Sequence, residues 1–401
     1  MRHVGNQGAF SPDHHRMKQT HDLGSTHHWL GTQPQNVALR RAAPRPSRRC
    51  LLGATVVAVV AVVTAACSSN NSNTGTGTGS SAPAPAGSSG GAATIAGGAA
   101  TTGYPVTLQN CGRTIKVKAA PKRVVSLWQS PTEMLLALGL RDRIVAVQKN
   151  YAPYPASVAT AAAGLKTVGS GMGFPSKEVL LSERPDFVTG QELVGFAFDT
   201  AQGYASVKQI EQTGATVYGA NLCNAKDAQS TKTWSVDTAA KTLRDFGRIF
   251  DVRARAAKLV AKLDAEKQKV VDAVQGKPVV KTAYFNGGTG PVIVLAGGIY
   301  DSLISTAGGK NVFPSTAIYV SKEAFAASEA DVILVGTFPG QNFAAAKAFL
   351  EKNFSNVPAV KNGRMYQVPT EQTDSSISVM VGLTKIANAI HPGLHLAVPS
   401  S

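Results

Sequence analysis

Two glycine-rich stretches, Gly169-Ser170-Gly171-Met172-Gly173 and Asn286-Gly287-Gly288-Thr289-Gly290, could offer backbone N–H groups to a phosphate. Neither runs into a Lys-Ser/Thr pair, and neither falls at the first strand–helix turn of its half. Glycine-rich loops lining a binding cleft explain them better than a nucleotide loop. A Ser-His-Asp set is out of reach, because the only histidines beyond the first 67 residues are His391 and His395, at the C-terminal end. The four cysteines, Cys50, Cys67, Cys111 and Cys223, lack metal-ligand spacing, and no histidine is available to activate one as a nucleophile. Neither catalysis, nor a metal centre, nor a resident cofactor is expected.

The most informative chemistry is at Cys67. Ser47 to Cys67 reads SRRCLLGATVVAVVAVVTAAC: Arg48 and Arg49, an uncharged apolar run from Leu51 to Val63, then Thr64-Ala65-Ala66 directly before a cysteine. That is the anatomy of an export signal, and the run is short of the roughly 20 residues a permanent span needs. Its end resembles a bacterial lipobox, so Cys67 is expected to be acylated and to become the mature N-terminus. Ser47-Arg48-Arg49-Cys50-Leu51-Leu52 also fits a twin-arginine pattern, and export by either a Sec or a twin-arginine route is left open. Residues 1–46 hold six of the eight histidines. A metal-binding tract and a misassigned start are the two readings; a start at Val37 would leave a normal n-region.

The whole chain is +16, but residues 1–67 carry eight Lys/Arg and two Asp, a net +6, which leaves +10. Such a surface attracts anionic ligands or lipid headgroups; nucleic acid is excluded by compartment rather than by charge. Ser68 to Gly103 is an uncharged Ser, Gly, Ala, Thr, Asn and Pro stretch, expected to be a disordered tether a few nanometres long. Once Cys50 leaves and Cys67 takes lipid, Cys111 and Cys223 are expected to pair in the oxidising exterior. A folded part of about 290 residues exceeds a single core and implies two lobes.

Apolar strands alternate with helical stretches: Arg123–Leu127, Arg143–Gln148, Phe187–Thr189 and Thr216–Tyr218, restarting at Lys281–Phe285, Val332–Val335 and Arg364–Val368. Thr132 to Leu140 reads as a helix with Glu133 in its first turn. Alternation of this kind argues for mainly parallel sheets. Between the sets, Val252 to Gln275 has helical apolar spacing at Ala256, Leu259, Val260, Leu263, Val270, Val271 and Val274. One helix there would be ~35 Å long. The expected division is a leader (1–67), a tether (68–103), an N-terminal lobe (104–233), a linking helical segment (234–276) and a C-terminal lobe (277–401).

An internal echo joins the halves. Ser176-Lys177-Glu178, followed by Ser182-Glu183 and Asp186, matches Ser321-Lys322-Glu323, Ser328-Glu329 and Asp331. Both serines suit N-caps, and both glutamates suit a first helical turn, so simple capping is one explanation. With Ala120-Pro121-Lys122-Arg123-Val124-Val125-Ser126-Leu127, Thr132 to Leu140, Asp142 to Val147 and Gly308-Gly309-Lys310-Asn311-Val312-Phe313, these segments resemble the solute-binding proteins of bacterial ABC importers for ferric siderophores, cobalamin and haem. The resemblance spans roughly Val106 to Pro392. It implies two Rossmann-like α/β lobes joined by one long helix, a small-molecule ligand clasped between them, and a monomer working with a membrane permease and its cytoplasmic ATPase. It also implies that Glu178 and Glu323 dock on permease arginines. A lipoprotein of this fold acting as sensor or scaffold is the alternative.

In parallel sheets, ligands sit beyond the carboxyl ends of the strands. That rule selects Trp128, Gln129, Tyr151, Tyr154, Gln191 and Glu192 in the first lobe, and Asn286, Glu371 and Gln372 in the second. Tyr300 and Tyr319 are added from neighbouring loops. These loops carry no arginine cluster, which argues against an anionic ferric siderophore, and no histidine, which argues against haem. An iron or cobalt chelate is nevertheless the expected class, captured on the outer face of the cell membrane.

Overall fold

A computed structural model describes residues 103–169, 173–224 and 232–400. Cys67, the export segment, the tether and the histidine-rich start lie outside the described residues.

The chain opens with a hairpin, β1 (Val106–Asn110) and β2 (Arg113–Val117), in antiparallel register. Its two-residue turn puts both Cys111 and Gly112 at positive φ, 56° and 70°, the conformation that suits strand twist. The N-terminal lobe then runs β3 (Val124–Ser126), α1 (Gln129–Ala137), β4 (Ile144–Gln148), α2 (Ala156–Ala162), β5 (Thr167–Val168), α3 (Lys177–Ser182), β6 (Phe187–Gly190), α4 (Val207–Glu211) and β7 (Thr216–Gly219). Its sheet is parallel throughout, in the order β5-β4-β3-β6-β7. The hairpin clips to its edge through Asn110, whose amide exchanges two 2.9 Å hydrogen bonds with the Gly219 backbone. Cys111 is disulfide-bonded to Cys223, just past β7, as the sequence led us to expect.

Helices α5 (Thr238–Ile249) and α6 (Arg253–Val274) follow. The reversal between them turns on Asp251 at φ 55°, and Gly247 lets them touch: a Cβ there would lie 2.5 Å from that of Ala256. The long helix thus matches its expected bounds to within a residue. Ala256, Val260, Leu263 and Val270 are buried on it, whereas Val271 is exposed.

The second lobe runs β8 (Val280–Phe285), β9 (Val292–Ile293), α7 (Gly298–Thr306), β10 (Gly309–Asn311), β11 (Tyr319–Val320), α8 (Lys322–Ala326), β12 (Val332–Thr337), α9 (Phe343–Asn353), α10 (Pro358–Lys361), β13 (Met365–Pro369) and α11 (Val379–Ile390). Its parallel sheet has the order β10-β8-β12-β13, and β9 pairs with β11 in a small antiparallel ribbon. One apolar cluster runs from the first lobe through α5 and α6 to α11, with a smaller cluster on the far side of each sheet. A core continuous through the connecting helix resists hinge bending, because opening would expose apolar surface. Among the described residues no helix is long and apolar enough to cross a membrane.

One expectation is corrected. Helix α1 starts at Gln129, three residues earlier than the sequence suggested, because Pro131 falls in the first turn, where its missing N–H costs no hydrogen bond. Glu133 is therefore beyond the first turn and is buried rather than interacting with the helix dipole in solvent.

Candidate ligand cleft

In each sheet the strand order reverses at one place, between β3 and β6 in the first lobe and between β8 and β12 in the second. Crevices beyond the carboxyl ends of strands at such reversals are where open α/β sheets hold ligands. Trp128 follows β3 at the N-cap of α1 in an extended conformation (φ −156°), and Phe338 follows β12. Tyr151 follows β4 and bridges the two, its ring centroid 5.3 Å from Trp128 and 6.1 Å from Phe338. Phe174 and Phe196 extend the wall at 6.3 and 6.0 Å from Trp128, and Tyr204 backs Phe174 at 5.6 Å. Phe196 is 45% exposed and sits at φ 44°, an unusual backbone conformation for an aromatic residue.

A carboxylate ties the lobes together at this wall. The short turn Thr370–Gln372 after β13 delivers Asp374, which accepts from Trp128 Nε1 at 2.7 Å, Asn221 Nδ2 at 2.7 Å and Tyr151 OH at 3.3 Å. All three donors belong to the N-terminal lobe. Next to it, Trp234 Nε1 donates to Ser375 Oγ at 2.7 Å. Burial pushes the Asp374 carboxyl up, and the donated hydrogen bonds oppose that shift. Glu133 is more affected: burial raises it to about 8, against a hydrogen bond from Gln129, so at neutral pH it holds its proton. Glu371 is raised as well, mainly by burial.

Among the expected ligand residues, Trp128 and Tyr151 are brought together by Asp374. Gln129 is buried with both ends of its amide engaged, Nε2 donating to Glu133 Oε1 and Oε1 accepting from the Ala152 N–H, each at 2.9 Å; it holds the Tyr151 loop against α1. Tyr154 packs on the main core with its buried hydroxyl unpartnered, and burial pushes it up to about 12. Gln191 accepts from the Asn221 and Leu222 N–H groups through its backbone, and Glu192 is buried. Asn286 directly follows β8 and has a buried, unpartnered Oδ1. Gly336 faces it on β12, where a Cβ would come within 2.5 Å of that oxygen. Glu371 Oε2 and Gln372 Oε1 are likewise buried without partners.

Tyr300 is not on a loop. It stands in α7, against Trp234 and Tyr284 at 5.8 and 5.3 Å. Tyr319 lies on β11, opposite Ile293, and is 53% exposed. The sequence reading missed Phe174, Phe196, Phe338, Asn221 and Asp374. Phe338 and Asn221 follow strands and the carboxyl-end rule could have found them. Phe174, Phe196 and Asp374 come from irregular segments with no periodic signal.

The echoed segments occupy equivalent places. Ser176 and Ser321 cap α3 and α8 by accepting from Val179 and Ala324 N–H, and Glu178 and Glu323 are both exposed second residues. Asp186 N–H donates to Arg123 at 3.0 Å and Asp331 N–H donates to Lys281 at 2.8 Å, each tying the following strand to the first strand of its lobe. Hydrogen bonding to its own backbone N–H and to the capping serine holds each glutamate below its usual range.

The model of the periplasmic binding protein family matches residues 124–371, from β3 to the turn that precedes Asp374. The chain belongs to that family. It is a binding protein, not an enzyme. An uncharacterized ABC transporter substrate-binding lipoprotein of Bacillus subtilis is 26% identical over 298 residues, 72% of this chain and 86% of the relative. A cobalamin-binding protein of Halobacterium salinarum is 26% identical over 306 residues, 72% of this chain and 74% of the relative. Among solved structures, a periplasmic binding protein from Veillonella parvula superposes with a TM-score of 0.63 at 20% identity, covering 72% of this chain and 97% of that one. The last comparison bears on fold alone.

Proposed function

We propose that this chain is the extracytoplasmic ligand-capturing component of an ABC importer, anchored to the outer face of the membrane through lipid on Cys67. It takes a metal chelate of the siderophore, cobalamin or haem class between its lobes and hands it to a permease served by a cytoplasmic ATPase. The observation that carries this reading is the pairing of Glu178 with Glu323. Two exposed carboxylates stand on matched serine-capped turns, one per lobe, where a two-fold permease could meet both. The aromatic wall of Trp128, Tyr151 and Phe338 supports capture of a flat, partly apolar ligand.

The test is Glu178→Gln with Glu323→Gln in one protein. If the carboxylates meet permease arginines, uptake falls while ligand affinity and melting temperature stay at wild-type values. Unchanged uptake would reduce both segments to helix caps and remove the support for docking.

A further inference from the structure

We propose that the cleft is selective for an uncharged or cationic ligand whose outward polar groups are N–H donors, such as an amide- or ammonium-bearing chelate, and that it disfavours ligands bearing carboxylates. The inference rests on the reading of the cleft as the ligand site and concerns what that site selects.

The buried polar atoms left without partners at the cleft are oxygens. Asn221 Oδ1 lies on the first lobe's side, and Asn286 Oδ1, Glu371 Oε2 and Gln372 Oε1 on the second's. Asn221 is 7% exposed and stands beside Asp374, to which its Nδ2 donates. An amide oxygen can only accept. The hydroxyls of Tyr154, Thr189, Tyr284 and Thr370 and the protonated carboxyl of Glu133, also unpartnered, can serve either way. Among the described residues, the unpartnered buried side-chain nitrogens are Arg113 Nε and His391 Nε2. Neither is at a carboxyl edge: Arg113 is on β2, bonded to Glu211 and Val217, and His391 meets Gly308 at the amino end of β10. A ligand satisfying the cleft must therefore supply donors.

Charge points the same way. The charged neighbours of Glu133 and Tyr151 are the carboxylates Asp374 and Glu371, and Lys385 on α11 is the cation that acts on Glu371. A ligand carboxylate lowered between them would be desolvated beside like charges, whereas a cation or N–H would meet ring faces and acceptors. The net +16 of the whole chain describes its long-range field and not this cleft.

The experiment titrates the full purified chain with four probes and follows binding by calorimetry. Cyanocobalamin is uncharged and rich in primary amides, ferrioxamine B carries an ammonium, haemin carries two carboxylates, and ferric enterobactin is an anionic catecholate. We expect cyanocobalamin or ferrioxamine B to bind at least ~100-fold more tightly than haemin or ferric enterobactin. Glu371→Gln, half-buried and isosteric, should strengthen haemin binding about tenfold by removing one like charge. Tighter binding of either anionic probe than of both others would overturn the selectivity while leaving the capture function intact. Binding of none of the four would overturn both.

Discussion

Trp128 at the carboxyl end of the first lobe's central strand donates its indole N–H to Asp374 of the second lobe at 2.7 Å. That bond joins the two sheets at the site where the ligand is proposed to sit. Asp374 therefore does two jobs: it clasps the lobes and it fixes the orientation of the rings facing the cleft. Asp374→Ala should strip the half-buried Trp128 and Tyr151 donors of this acceptor, leave Asn221 Nδ2 with Ser130 alone, and cost about 2–4 kcal/mol of unfolding free energy. Asp374→Asn, which keeps the shape but not the full acceptor set, should cost about half as much. Urea denaturation of both variants is the check. A loss below about 0.5 kcal/mol in the alanine variant would mean that the clasp contributes little.

Glu133 gives the fold a pH dependence with a definite sign. Its folded value near 8 lies above the ordinary 4.5, so the neutral form is the one the fold favours. Between those values the folded chain binds more protons than the unfolded one, and stability from this group falls as pH rises. It is fully present below about pH 4.5 and gone above about pH 8. Asp374 and Glu371, also raised and the carboxylates facing Glu133, act in the same direction. Glu133→Gln should flatten the slope and gain on the order of 2–4 kcal/mol over wild type at pH 9. Melts from pH 5 to 9 that run parallel for the two proteins would contradict this.

The Cys111–Cys223 bridge closes a loop with a sequence separation of 112. In the chain-entropy model, reduction should lower stability by about 4–5 kcal/mol, as an upper value. Thiol labelling of unreduced protein should find neither cysteine reactive, and the melting temperature should drop when a reductant is added.

Cys67→Ala should move the protein from the membrane to the soluble fraction. Continued partitioning into detergent would contradict a lipid anchor at that residue.

Much of the architecture was legible in the sequence. The buried parallel strands are continuous apolar runs, and the long helix has a clear periodic face; both signals are local. The hairpin at Cys111-Gly112 and the β9–β11 ribbon were not, because their strands are short and paired by turn geometry rather than by hydrophobic runs. The carboxyl-end rule selected Trp128 and Tyr151, which the fold brings together, since it needs only strand ends. Gln129 was chosen by the same rule, yet its amide is used within its own lobe. Asp374 was not legible, because its significance arises from three partners more than a hundred residues away in sequence.

The central claim, ligand capture between the lobes, is tested most directly by Trp128 itself. Of the three tryptophans in the chain, Trp128 packs with Tyr151 in the aromatic wall, whereas Trp234 packs against Tyr300 and donates to Ser375. Fluorescence titration with cyanocobalamin and ferrioxamine B, corrected for absorption, should give saturable quenching with at least one probe. That quenching should be lost in Trp128→Phe, whose melting temperature reports separately on the clasp. Saturable quenching that survives unchanged in Trp128→Phe would contradict the account, because the ligand would then bind elsewhere.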